Sequence, residues 1–297
     1  MKKLLTLGMA VAVLANMLIM ASAAHVETAA DALLTADSVP KYIETMPIDV
    51  APASEEKVAL ISSMKSNRVL TVTKDGCFYI SDSISDLTDD DNLIADVRSD
   101  YEFANQAIAD GILAIDKSSL ELYNLELTKS SLSKMKANAV KRQEYQIQNS
   151  MMAYATHCSN PSLYLSGMVV SNRATITRYY NEMVELEYTN PSISPGWATT
   201  MFWVGKVQAG GPWDYKLIKN LGPWDKVYCC TYGYRDTKVN QHRNAEFIGN
   251  YNYGYTGRDL FSLYILKKGS DAAAGKIWVA DVDDYPAIEE GYYDAGR

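Results

Sequence analysis

The sequence predicts an α+β protein because β-rich and helix-forming segments both occur along its 297 residues. Residues 69–80 contain two β-rich runs that flank Asp75 and Gly76, a pattern typical of a hairpin closed by a type I′ turn. Residues 132–155 have helix-forming composition and few helix breakers. Beyond residue 196 the chain becomes rich in Gly, Tyr and Trp, which indicates a compact C-terminal domain.

The overall composition is that of a globular protein, with 47% hydrophobic and 22% charged residues. It excludes a wholly disordered chain, a collagen-like repeat and a coiled coil. The formal net charge is −8, and an acidic chain argues against broad binding to nucleic acid or anionic lipid, which favour faces rich in Lys and Arg.

The cysteines do not form a disulfide scaffold, since only Cys77, Cys158, Cys229 and Cys230 occur in this long chain. Three ways of pairing all four cysteines are possible, and free, buried thiols are the equal alternative. A bond between the adjacent Cys229 and Cys230 is disfavoured because it would close a strained ring. The sequence has no Cys-x-x-Cys pair and only three His. It therefore predicts neither a metal site nor a cofactor.

The N-terminal 23 residues have the pattern of a secretory signal peptide. Lys2 and Lys3 precede an apolar run at residues 4–20, and residues 21–23 fit the small-x-small cleavage rule, with cleavage after Ala23. The alternative, a retained anchor, is disfavoured because the run is short and no basic stop-transfer cluster follows. We therefore expect a secreted, extracellular protein with no stable membrane association after cleavage.

Prolines and turn residues divide the remaining chain into three predicted parts. These are a linker at residues 24–56, a mixed domain with a hairpin and helices at residues 57–190, and the C-terminal domain at residues 191–297. Asn190-Pro191 marks the second boundary.

Two segments of the mixed domain have competing interpretations. Residues 89–91 are three consecutive Asp, which we interpret as a solvated turn before a helix because no calcium-loop spacing surrounds them. Residues 169–188 are rich in β-branched and aromatic side chains, which favours a strand, with helical character only near residues 182–186.

Three blocks of the C-terminal domain carry the functional signal. Residues 211–216 and 222–226 are two similar Gly-Pro-Trp-Asp turns, whose structural interpretation packs Trp213 and Trp224 under a surface loop. Residues 246–258 combine Asn and Tyr with glycines in a spacing that matches no phosphate-binding fingerprint.

In this second block Gly249, Gly254 and Gly257 open a loop or let a ligand approach the backbone, and the neighbouring amide and phenol groups suit a sugar or polar polymer. A plain β-turn with exposed tyrosines is the alternative. The third block is an acidic tail at residues 281–293. It offers an acid/base pair or metal ligands, or else a helix that starts at Pro286 with Asp284 as its N-cap.

These blocks resemble, in the same order, the bacterial polymorphic toxin family called toxin 44. Residues 201–216 resemble its helix that ends in a Gly-Gly-Pro-Trp-Asp-Tyr-Lys turn, and residues 246–257 resemble its Gly-Asn-x-x-Tyr-Gly-x-x-Gly block. The tail resembles its closing Asp-rich segment. The resemblance covers roughly residues 195–294 and implies an α+β toxin module at the C-terminus of a longer secreted chain.

The first functional hypothesis is a secreted antibacterial toxin that hydrolyses a polymer, with peptidoglycan favoured over nucleic acid because of the signal peptide and the acidic charge. A cognate immunity protein is an expected partner. The catalytic candidates are Glu246, Asp283, Asp284 and His242. The substrate-binding candidates are Asp214, Lys216, Asn250, Asn252, Tyr253 and Arg258.

The second hypothesis is a secreted, non-enzymatic module that binds a glycan or a protein through its Tyr- and Asn-rich surface. Asn252 favours it, because many members of the toxin family have His at that position and an amide cannot act as a base. His242, four residues before Glu246, is the substitute that the sequence offers, unless it is an ordinary surface His.

Overall fold

The computed structural model describes residues 50–126, 128–142, 158–218, 221–273 and 282–297, and it has the predicted α+β fold. The helices are α1 Glu55–Ser66, α2 Asp91–Ala109, α3 Lys129–Lys141, α4 Leu165–Thr189, α5 Pro195–Val207, α6 Ala245–Gly257, α7 Leu263–Ala273 and α8 Tyr285–Asp294. The strands are β1 Leu70–Val72, β2 Phe78–Ile80, β3 Leu113–Asp116, β4 Glu121–Asn124, β5 Ser162–Tyr164, β6 Val227–Tyr232 and β7 Lys238–Asn244.

The predicted signal peptide and residues 24–49 of the predicted linker lie outside the described residues. Helix α1 already begins at Glu55, inside the last part of that linker. Within the described ranges, none of the helices combines the length and apolarity that crossing a bilayer requires.

The chain forms two compact units that interleave along the sequence. The N-terminal unit contains residues 50–138 and 178–202, and the C-terminal unit contains the described residues of 139–177 and 203–297. Helix α4 contributes residues to both units. The division between the units therefore does not coincide with the predicted boundary at residues 190 and 191.

In the N-terminal unit, strands β1 and β2 form the predicted antiparallel hairpin, with Leu70 opposite Ile80. The predicted type I′ turn is wrong, because Gly76 has a φ of +81° whereas Asp75 is not in the left-handed region. The backbone N–H of Thr73 donates to the carbonyl of Cys77 at 2.8 Å, so the connection has three residues with glycine last.

The solvated Asp turn before a helix is confirmed. Asp90 is the N-cap of α2, and its Oδ1 accepts hydrogen bonds from the backbone N–H groups of Asn92 and Leu93 at 3.0 and 3.1 Å. This arrangement satisfies two donors that the first helical turn would otherwise leave unpaired.

The strand expected over residues 169–188 is wrong, because α4 is helical from Leu165 to Thr189. Its buried apolar side chains recur at helical spacing, for example Met168 and Val169, then Ile176, then Tyr179. Burial of this stripe outweighs the weak β-propensity of the individual residues. The helix expected over residues 132–155 is present as α3 up to Lys141, and residues 143–155 lie outside the described residues.

The C-terminal unit contains a sheet in the order β5-β6-β7, with β5 parallel and β7 antiparallel to β6. The pairing of the cysteines is Cys158 with Cys229, and Cys77 and Cys230 are free thiols. Behind the sheet lies a buried cluster rich in tyrosine, in which Tyr232 and Tyr251 meet edge to face with ring centroids 5.2 Å apart.

The glycine-rich block is a helix rather than the loop that the sequence favoured, since residues 245–257 form α6. Gly254 and Gly291 allow α6 and α8 to touch through their backbones. A Cβ atom at Gly254 would lie 2.1 Å from the carbonyl oxygen of Ile288, and one at Gly291 would lie 2.1 Å from that of Tyr251. These glycines therefore serve the approach of one helix to another and not a turn.

Candidate functional site

The first two blocks singled out in the sequence meet through a residue that sequence reasoning missed. Asn172 of α4 donates from Nδ2 to the phenol oxygen of Tyr215 at 2.6 Å and to Oδ1 of Asn252 at 2.8 Å. Tyr215 belongs to the Gly-Pro-Trp-Asp-Tyr turn and Asn252 to α6. No signal pointed to Asn172, because it lies in a stretch whose composition favoured a strand.

This amide cluster is buried. Asn252 is 0% exposed, and its Nδ2 has no hydrogen-bond partner within the described part of the chain. Burial raises the pKa of Tyr215 above its ordinary value, with the hydrogen bond from Asn172 opposing it, so its phenol stays neutral. Asn252, predicted as a substrate-binding residue, therefore does not face solvent in this structure.

Replacing Asn172 by Ala should lower the free energy of unfolding by about 2 kcal/mol, because two buried polar groups lose a partner. Urea unfolding of the full chain measures the change. Asn92→Ala, which removes an exposed amide, is the matched control and should stay within about 0.5 kcal/mol of the natural chain. Equal losses for the two variants would contradict a structural role of the cluster.

A second polar arrangement joins the glycine-rich block to the acidic tail. Nδ2 of Asn250 donates to Oδ1 of Asp284 at 2.6 Å, and Oγ of Ser270 donates to its Oδ2 at 3.3 Å. Glu246 lies four residues before Asn250 on α6, so both side chains start on one face of the helix. The predicted residues Glu246, Asn250 and Asp284 therefore share one region of the unit.

The helix that was one of the two interpretations of the acidic tail is present, since α8 begins at Tyr285, one residue before the expected Pro286, with Asp284 as N-cap residue. The side chain of Asp284 makes no capping hydrogen bond, however, and accepts from Asn250 and Ser270 instead. Asp283, the neighbouring predicted carboxylate, is exposed.

His242 lies apart from these contacts, on strand β7. It is exposed and pairs across the strands with Cys229, and its Nε2 lies 3.2 Å from Sγ of Cys158. The predicted His therefore faces a disulfide.

Most of the remaining predicted substrate-binding residues make internal contacts. Oδ2 of Asp214 accepts from the backbone N–H of Gly210 at 2.7 Å, which braces the first turn. The phenol of Tyr253 donates to the carbonyl of Leu266 at 3.1 Å. Lys216 is exposed.

Arg258 also contacts the protein itself. Its Nη1 donates to the carbonyl of Tyr292 at 3.0 Å, and its guanidinium lies 4.6 Å from the centre of the Tyr292 ring. This contact links the end of α6 to α8, which is a structural use for a residue predicted to bind an anion.

The turn at residues 222–226 exposes an aromatic side chain beside α6. Trp224 is 57% exposed, which contradicts the interpretation that both tryptophans pack under a loop. Its carbonyl accepts the backbone N–H of Glu246 at 3.1 Å, so the two residues are neighbours. Trp213 is partly buried and packs against the tyrosine-rich cluster.

Among the described residues, two groups of three side chains bring potential metal ligands together. The first is Asp96, Asp100 and Glu185 in the N-terminal unit, where Nζ of Lys57 lies 2.8 Å from each carboxylate. The ammonium group occupies the place that a cation would take. The second group is Cys158, Cys229 and His242.

Comparisons of the chain with protein-family models, curated proteins and solved structures gave no match.

Proposed function

We propose that this protein is a secreted bacterial toxin whose C-terminal unit hydrolyses a polymer of competing bacteria, with peptidoglycan favoured and nucleic acid next. The observation that carries the proposal is the hydrogen bond from Asn250 to Asp284. It brings a carboxylate of the acidic tail to α6, the helix that contains Glu246 in its first turn. A pair of carboxylates is the usual requirement for hydrolysis of a glycosidic bond.

The surroundings suggest a division of roles between the two carboxylates. Both oxygens of Asp284 accept hydrogen bonds, which hold the carboxyl group in one orientation, and we assign it the role of the base that acts on water. Glu246 is then the group that protonates the leaving oxygen. The exposed indole of Trp224, next to Glu246, offers an apolar face for a sugar ring.

The test is hydrolysis by the full chain, because residues up to 177 of α4 belong to the C-terminal unit and a fragment starting at residue 191 lacks them. Purified protein is incubated with isolated peptidoglycan and, separately, with RNA. We expect soluble fragments with new reducing ends from peptidoglycan. Glu246→Gln and Asp284→Asn should each lower the rate by about 100-fold or more.

Glu102→Gln is the matched control, since it neutralises an exposed helical carboxylate of the N-terminal unit and should leave the rate unchanged. Degradation of RNA alone would transfer the proposal to nucleic acid. Full activity of both active-site variants would contradict the assignment of Glu246 and Asp284. A cognate immunity protein, if it acts on this site, should suppress the same activity.

The second candidate function is a non-enzymatic module that binds a cell-wall glycan. It is favoured by the internal contacts of Asp214, Tyr253 and Arg258 and by the burial of Asn252, which leave few predicted residues for substrate. In this case peptidoglycan retains the chain without releasing fragments. Trp224→Ala would then weaken retention, whereas Glu246→Gln would not.

A further inference from the structure

Three segments of the C-terminal unit bring two sulfur atoms and an imidazole to one point of its sheet. Cys158 lies just before β5, Cys229 lies in β6, and His242 is the cross-strand partner of Cys229 in β7. Side chains at directly opposed positions start about 5 Å apart on the same face of a sheet. Nε2 of His242 lies 3.2 Å from Sγ of Cys158, and all three donor atoms lie within 4.8 Å of one another.

Two thiolates and one imidazole are the donor set that Zn²⁺ prefers in proteins. With bonds of about 2.3 Å to sulfur and 2.0 Å to nitrogen, the donors of a tetrahedral zinc site lie roughly 3.5–3.8 Å apart. The spacing of the imidazole already falls close to this range. Only the two sulfur atoms must separate, because they are now bonded to each other.

We propose that Cys158, Cys229 and His242 form a site that binds Zn²⁺ when the disulfide is reduced. Formation of the disulfide removes the site. A dithiol reductant donates two electrons and two protons to the disulfide, which yields two thiols and the oxidised reductant. Zn²⁺ then displaces the two thiol protons and binds both sulfurs together with the neutral imidazole.

The burial of the three residues gives the site one open side. His242 is exposed and Cys158 is partly exposed, whereas Cys229 is buried. Metal and reductant therefore approach from the side of Cys158 and His242. The fourth position of the metal is left to water or to Asn240, whose Oδ1 lies 3.7 Å from Sγ of Cys229.

The site keeps the same parts of the chain connected in both redox states. The disulfide links β6 to the segment before β5, and the metal would link the same two segments and β7 as well. Neither the residue spacing nor a motif predicted it, because Cys158 and Cys229 are 71 positions apart and no second Cys or His lies at a ligand spacing.

The test uses the full chain carrying Cys77→Ser, which removes the other partly exposed thiol. A water-soluble phosphine reduces the disulfide and is removed without oxygen. Co²⁺ is then titrated as a spectroscopic probe, followed by Zn²⁺. We expect the reduced chain to bind one Co²⁺ with a thiolate-to-metal charge-transfer band, Zn²⁺ to displace it, and the oxidised chain to bind neither ion.

His242→Ala should weaken metal binding by roughly tenfold or more, and Cys158→Ser should remove most of the charge-transfer band. Gln241→Ala, at the exposed neighbouring position of β7, is the matched control and should bind like the parent chain. Equal stability of the oxidised parent and oxidised His242→Ala shows that the variant is folded. Failure of the reduced chain to bind either ion, or unchanged affinity in His242→Ala, would overturn the proposal, and so would equal binding by the oxidised chain.

Discussion

Replacing Lys57 by Met is expected to lower the free energy of unfolding by about 3–5 kcal/mol at neutral pH. The ammonium group of Lys57 is buried in the N-terminal unit and contacts Asp96, Asp100 and Glu185, each at 2.8 Å. Without it, three carboxylates remain close together, and Asp100 is a buried anion that has lost its cation. Removing one partner of a buried ion pair lowers the free energy of unfolding far more than replacing all of its members by apolar residues.

The balance between burial and the charges of this cluster explains the direction of both pKa shifts. Desolvation lowers the pKa of Lys57, but the hydrogen bonds that its ammonium group donates to the three carboxylates outweigh it and raise the pKa above its ordinary value. Burial raises the pKa of Asp100 to about 6, opposed by Lys57 and supported by the neighbouring anions Glu185 and Asp96. Three anions stabilise the charged form of one ammonium group, whereas the three carboxylates share a single cation.

These shifts set the pH dependence. Because the pKa of Lys57 is raised, its contribution is fully present below its unfolded value near 10.5 and is lost only as the pH rises through the folded value. Asp100 holds a proton in the folded chain between about pH 4 and pH 6, where the unfolded chain has released it. Its contribution to the free energy of unfolding therefore falls as the pH rises through that window.

Urea unfolding of the natural chain and of Lys57→Met at about pH 4 and pH 7 measures these effects. The deficit of Lys57→Met should be smaller at the lower pH, where the carboxylates bind protons. Adding Asp100→Asn to Lys57→Met should recover part of the loss, because one anion is removed. Lys74→Met, at an exposed hairpin lysine, is the matched control. A loss below about 1 kcal/mol in Lys57→Met at pH 7 would contradict the prediction.

Local patterns predicted local structure in this chain, and they failed where distant segments decide the outcome. The Asp-Gly hairpin and the helix after residues 89–91 follow from turn and capping chemistry within a few residues. Helix α4 differs from the predicted strand because the burial of its apolar stripe decides its conformation, and the β-propensity of its individual residues is a weaker effect. The Lys57 cluster could not be predicted, since its partners come from α2 and α4.

The candidate site likewise contains residues that the sequence predicted and one that it did not. The sequence selected Glu246, Asn250 and Asp284, and the structure brings Asn250 into contact with Asp284. Asn172 could not be predicted from the sequence, because its role depends on contacts with Tyr215 and Asn252, which lie far along the chain.

Placing Ala at Gly254 or Gly291 is expected to destabilise the C-terminal unit by about 3 kcal/mol, at the upper end of the usual range for overpacking. The glycines let α6 and α8 approach, and an added Cβ would lie 2.1 Å from the carbonyl oxygen of Ile288 or of Tyr251. A backbone carbonyl within a helix cannot swing aside as a flexible side chain can. The helices must separate instead, which loosens the packing of the buried residues between them.

Gly249→Ala provides a control within the same helix, because nothing lies within 4 Å of the Cβ that it adds. It should raise the free energy of unfolding by about 0.5–1 kcal/mol, as expected for Ala in place of Gly in a helix. Urea unfolding of the three variants measures these changes. The same Gly-to-Ala substitution should lower the free energy of unfolding at Gly254 and Gly291 and raise it at Gly249. If Gly254→Ala and Gly291→Ala also stabilise the chain, the close helix contact is wrong. If only those two destabilise it, Gly254 and Gly291 are required for the packing of α6 against α8, whether or not the glycine-rich block also binds a substrate.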